Sequence, residues 1–130
     1  MNNKISQDRK TDIRDKNDIV ILIDAFYTQV RKDPILAPVF RKRIPDDAAW
    51  PAHLRVMYSF WNTLLFAESD YQGNPFHKHV GIEIGALHFD RWIGYFHQTI
   101  DLYFSGPMAE SAKEKATKMR LIFESKLGIT

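Results

Sequence analysis

The stretch Tyr71-Gln72-Gly73-Asn74-Pro75-Phe76-His77-Lys78-His79 combines a turn, a helix start and two imidazoles. Pro75 follows the Gly73-Asn74 turn pair directly, a suitable first residue for a short helix because proline has no amide to donate and a pre-set φ. His79 then lies one turn into that helix. His77 and His79 are two apart, and at roughly 100° per residue they point to nearly opposite sides. Only one of them can face an interior.

The remaining 121 residues bound what such an imidazole can serve. A chain of 130 residues is one domain, and 45% hydrophobic with 13% aromatic content is enough to line a large apolar cavity. Eighteen Lys and Arg are interspersed with 16 acids, so no electrostatic footprint argues for nucleic acid. Cysteine is absent, which excludes disulfides, thiolate ligands and a thiol nucleophile. Any metal ion would be held by nitrogen or oxygen. The longest aliphatic run, Ile19 to Ile23, falls far short of the ~20 residues that span a bilayer, so the expected location is the cytoplasm, without a membrane partner.

Residues 1–17 are polar apart from Ile5 and Ile13 and are expected to form a mobile or loosely attached arm before a domain over 18–130. From Asp18, read as an N-cap, Ile19, Leu22, Ile23, Phe26, Tyr27 and Val30 recur at helical spacing. Pro34, Pro38 and Pro45 break the next segment into a corner carrying Leu36, Val39, Phe40 and the basic cluster Arg41, Lys42 and Arg43. A longer helix is predicted from Asp47 to Glu68, with Pro51 in its first turn and an inner stripe of Trp50, His53 or Leu54, Met57, Phe60 or Trp61, Leu64 and Leu65. Beyond Gly85 two further helices follow. One carries Leu87, Phe89, Trp92, Ile93, Phe96 and Ile100 as far as Ser105-Gly106-Pro107, and the other carries Met108, Ala112, Ala116, Met119, Ile122, Phe123 and Leu127 before Gly128. No segment alternates with period two. The chain is read as all-α.

Tyr27, His53, His79 and Trp92 are polar or hydrogen-bonding groups on four otherwise apolar helical faces, and burying them requires partners or a ligand. Taken singly, each has a plain structural reading: a core tyrosine, a surface histidine, a large core tryptophan. Taken together, Phe26-Tyr27, Pro38-Val39-Phe40, Trp50-Pro51-Ala52-His53, Phe60-Trp61, the stretch from Asp70 to His79 and His88-Phe89-Asp90-Arg91-Trp92 resemble the pattern of the group III (P-type) truncated haemoglobins. The resemblance runs from about Asp18 to the end.

It implies a truncated globin fold, a two-over-two helical sandwich around a non-covalent haem b. His79 is implied as the proximal iron ligand. Tyr27 and Trp92 are implied as distal donors, with His53 as a distal or gate residue. Further cofactor contacts are expected from Phe40, Met57, Phe60, Phe76, Lys78, Phe89, Phe96 and Ile122, and Arg41, Arg43, Arg55 and Lys78 are candidates for the haem propionates. The diatomic ligands implied are dioxygen, nitric oxide and carbon monoxide, bound at a pentacoordinate iron. Distal donors favour slow oxygen release, which suits oxygen and nitric oxide chemistry or peroxide chemistry fed by an external reductase better than oxygen transport. An oxygen sensor, a scavenger without turnover and a haem-free helical interaction protein stand beside that reading.

Overall fold

The computed structural model describes residues 10–67 and 84–128, and those residues are helical with no strand among them. The helices are α1 (Lys16–Val30), α2 (Ala37–Arg43), α3 (Trp50–Phe66), α4 (Ala86–Tyr103) and α5 (Pro107–Leu127), with a 3-10 turn at Asp47–Ala49 leading into α3. Helix α1 packs on both α3 and α4, α4 packs on α5, and α3 reaches α5. These contacts close a cycle, so the α1/α3 pair lies over the α4/α5 pair.

The helix ends follow from local chemistry. Helix α1 starts at Lys16 rather than at the predicted Asp18. Its N-cap is Asp15, whose carboxylate accepts from the Asp18 amide at 3.2 Å, while the buried Asp18 carboxylate reaches back to the Arg14 amide at 2.8 Å. Reciprocal bonds of this kind satisfy amides that the first turn leaves without helical partners. Pro51 sits in the first turn of α3, as the sequence predicts, and that helix stops at Phe66 where Ala67 turns left-handed at φ 56°. Gly128 closes α5 in the left-handed conformation at φ 75°.

The segment expected to be a loose arm is tied down from Lys10 onward. The Ile13 side chain is buried in the core, the Thr11 carbonyl accepts from Ser105 N, and the Asp12 carboxylate accepts from Met108 N and Ala109 N, both at 2.8 Å. Asp12 therefore caps α5 across nearly the whole length of the chain. Gly106 makes room for it, because a Cβ there would lie 2.5 Å from the Asp12 carboxyl carbon and the backbone has φ +145°.

Phe26, Trp61 and Phe96 form the centre of the core. Phe96 stacks on Trp61 at 4.7 Å between ring centroids and meets Phe26 edge-on at 5.1 Å. Two polar ties fix the helices around it: the Tyr58 hydroxyl donates to Asp24 between α3 and α1, and Gln29 donates to the Thr99 hydroxyl at 3.0 Å between α1 and α4.

Candidate functional site

In front of that core lies a cavity of about 370 Å³, within the ordinary range for a small-molecule site of roughly 300–1,000 Å³. Its walls are apolar: Leu36, Val39, Phe40 and Ile44 from the corner, Met57, Phe60 and Trp61 from α3, Ile84 and Phe89 at the start of α4, and Met119 and Phe123 from α5. Tyr27, His53 and Trp92 stand together on one side. Arg43, His88 and Arg120 supply its basic lining.

Tyr27 is placed by α1 with its ring edge-on to Phe26 at 4.8 Å and to Phe40 at 5.8 Å, and it is 5% exposed. Burial pushes its hydroxyl well above the ordinary tyrosine range, because a phenolate there would lose its hydration. Trp92 acts the opposite way, because its indole N–H is a donor close enough to the phenol oxygen to favour the ionised form. His53 sits inside the pocket, its ring edge-on to Tyr27 at 5.6 Å and to Trp50 at 5.2 Å, with Nε2 shielded from solvent.

At the start of α4 the Gly85 amide donates to His88 Nδ1 at 3.0 Å. That bond leaves the proton on Nε2, which makes His88 an N–H donor on the cavity wall. Arg120, which sequence reasoning missed among the charges of α5, is held by Asp90 at 2.5 Å and by Glu124 at 3.2 Å. Of the four basic residues expected to meet an anion, Arg43 lines the cavity. Arg55 lines a separate outer groove with Asp24, Arg31 and Tyr58, and Arg41 lies outside the cavity lining.

Two of the expected apolar contacts fall elsewhere. Ile122 is 51% exposed, because the rotation of α5 against α4 turns Met119 and Phe123, one turn apart, into the cavity and Ile122 out to solvent. Phe96 is fully buried in the core behind the pocket and lines none of it. Phe40, Met57, Phe60 and Phe89 line it as expected. Phe76, His77, Lys78 and His79 lie outside the described residues.

No family model matches the sequence. A curated protein, group 3 truncated hemoglobin ctb of Campylobacter jejuni, is 29% identical over 111 residues, covering 84% of this chain and 87% of that protein. The crystal structure of group III truncated hemoglobin from Campylobacter jejuni superposes with a TM-score of 0.82 at 28% identity, covering 91% of this chain and 94% of that one. The chain shares the fold of the group III truncated haemoglobins and is similar to them in sequence. That likeness implies a haem, and the described residues suit one: the cavity walls are apolar, and Arg43, His88 and Arg120 offer donors to carboxylates. Among the described residues, no helix is long and apolar enough to cross a membrane.

Proposed function

We propose that this chain binds one haem b and takes dioxygen, nitric oxide and carbon monoxide at a pentacoordinate iron held by His79, for oxygen and nitric oxide or peroxide chemistry rather than oxygen transport. The observation that carries the reading is an apolar cavity with basic lining that has Tyr27, His53 and Trp92 in its wall. The haem would supply an iron that accepts a diatomic ligand and shifts electron density onto it. Everything else is the protein's contribution.

Tyr27 O–H and Trp92 N–H would donate to the bound ligand from two different helices. Burial keeps Tyr27 protonated through the physiological range, so the donor is always charged with its proton. His53 closes the distal side between Tyr27, Phe40 and Trp50 and excludes water from it. Arg43, His88 and Arg120 would take the two propionates, by charge-assisted hydrogen bonds from the guanidinium groups and an N–H from the imidazole. A ligand held by a donor leaves slowly, which disfavours delivery and favours reaction on the protein; the reducing equivalents would come from an external reductase.

The test is the absorption spectrum of purified protein supplied with haem, ferric and then dithionite-reduced with and without carbon monoxide. A Soret band that shifts on reduction and again on carbon monoxide is expected. His79→Gly should lose the iron-imidazole stretch in resonance Raman, whereas His77→Ala should keep it. A preparation that takes up no haem, or one in which His77 rather than His79 governs the stretch, overturns the reading.

A further inference from the structure

The last turn of α2 carries Arg41, Lys42 and Arg43 in succession, all three exposed. Arg43 lines the cavity, whereas Arg41 and Lys42 make no ion pair among the described residues. The acids nearest along the chain are engaged elsewhere: Asp33 by Arg91 Nε at 2.9 Å, Asp46 by the Ala48 amide at 3.0 Å and Asp47 by Arg31 at 3.1 Å. One cation would complement the negative end of so short a helix, and the others leave a local excess of positive charge. Beside this cluster runs a second hollow of about 580 Å³, lined by Ile35, Pro38, Val39, Lys42, Ile84 and His88. Val39, Ile84 and His88 also line the cavity, so the two spaces share a wall one side chain thick. Whatever seats in the hollow lies next to whatever fills the cavity.

We propose that this hollow and its basic rim dock the electron donor, a small redox protein that presents an acidic face around its own exposed electron carrier. The proposal rests on the haem reading above and names the kind of partner that reading requires. Ile35, Pro38, Val39 and Ile84 supply an apolar centre, and Arg41 and Lys42 supply a cationic edge that steers an acidic partner and fixes its register. A basic partner would meet that edge with repulsion. Electron transfer falls steeply with distance, and the shared wall is the thinnest barrier between the cavity and this basic face. In each encounter the partner's carrier loses one electron and a ferric haem gains it to become ferrous; no bond breaks and no proton moves. Redox encounters of this kind bury less than roughly 1,200 Å², which suits so small a patch.

The probe is a plant-type 2Fe–2S ferredoxin, an acidic protein of low potential. Binding is read from amide chemical shifts of the full chain in its haem-loaded, ferrous carbon monoxide form, titrated with oxidised ferredoxin. Electron delivery is read by stopped-flow reduction of the ferric chain with reduced ferredoxin. Shift changes should map to residues 35–43 and 84–88. Lys42→Glu should weaken binding and slow the second-order reduction by about tenfold at low ionic strength, and Lys42→Gln by less. Both differences should close near ~1 M salt, where the Debye length is about 3 Å. Lys118→Glu makes the same change in net charge at an exposed residue of α5 that lines neither space, and should leave both readouts at wild type. A Lys42→Glu variant that melts lower but binds like the wild type reduces the cluster to a helix-end device and overturns the proposal. So do shift changes on another face, equal effects of Lys42→Glu and Lys118→Glu, no ferredoxin binding at low salt, or a DNA duplex that moves the same amides as tightly. Should the wild type take up no haem, the functional reading fails by its Soret band, while the amide map of the same chain still decides the docking surface.

Discussion

Tyr27 and Trp92 bring an O–H and an N–H from two helices to the wall of one cavity. A hydrogen bond to a ligand bearing partial charge contributes roughly 1.5–3 kcal/mol, and ~1.4 kcal/mol is a factor of about ten. Tyr27→Phe is therefore expected to speed oxygen dissociation by about one to two orders of magnitude. Trp92→Phe should act in the same direction, and because the two donors would share one ligand, the double variant should depart from the sum of the singles. Stopped-flow oxygen release from the wild type, both singles and the double measures this, with carbon monoxide release as the control that carries less charge on its terminal atom. Additive singles would mean that the two donors do not share a ligand.

At the scale of the helix, the Asp12 cap on α5 yields a prediction that the fold alone would hide. Two amides in the first turn of α5 depend on a carboxylate from the opposite end of the chain, which also complements the positive end of the helix dipole. Asp12→Ala should cost about 1–2 kcal/mol in urea unfolding, and Gly106→Ala should cost more, since it combines a strained φ with a clash against the same carboxylate. Asp12→Asn, which keeps one acceptor oxygen but sets an NH2 group against the other amide, should retain only part of the stability. An Asp12→Ala variant as stable as the wild type would show the cap to be idle.

That cap also marks the limit of what the sequence discloses. Helix existence and period were legible, since the apolar spacing of α1, α3 and α4 and the boundaries at Pro51, Gly106-Pro107 and Gly128 are local signals. That Tyr27, His53 and Trp92 line one cavity was legible only through six short motifs read together, because each residue alone looks like ordinary core. Asp12, Asp33 and Arg120 were not legible: each is one charge among many until the fold supplies a partner from a distant part of the chain. Ile122 was misassigned because Met119, Ile122 and Phe123 all satisfy the same helical spacing, and only the crossing of α5 on α4 decides which flank faces inward.

Across the whole molecule, the aromatic centre of Phe26, Trp61 and Phe96 is filled by the chain itself, whereas the cavity in front of it has room for a ligand. Side chains lining an empty cavity of that size forfeit contacts on one face, so filling it should stabilise the native state. Binding restricted to the native state contributes RT ln(1 + [L]/Kd), about 2.7 kcal/mol when free haem stands at 100 times its dissociation constant. For a domain of this size each kcal/mol raises the melting temperature by roughly 3–6 °C, so haem should raise it by about 10 °C under that condition. The gain should grow with the logarithm of haem concentration. It should fall in His79→Gly, which loses the iron bond, and in Phe40→Ala, which opens the cavity wall, while Ile122→Ala, facing solvent, should leave it unchanged. Differential scanning calorimetry of haem-free and haem-loaded protein measures the shift directly. Coincident melting of the two forms would mean that the cavity is not a native haem site, whatever the likeness of the fold.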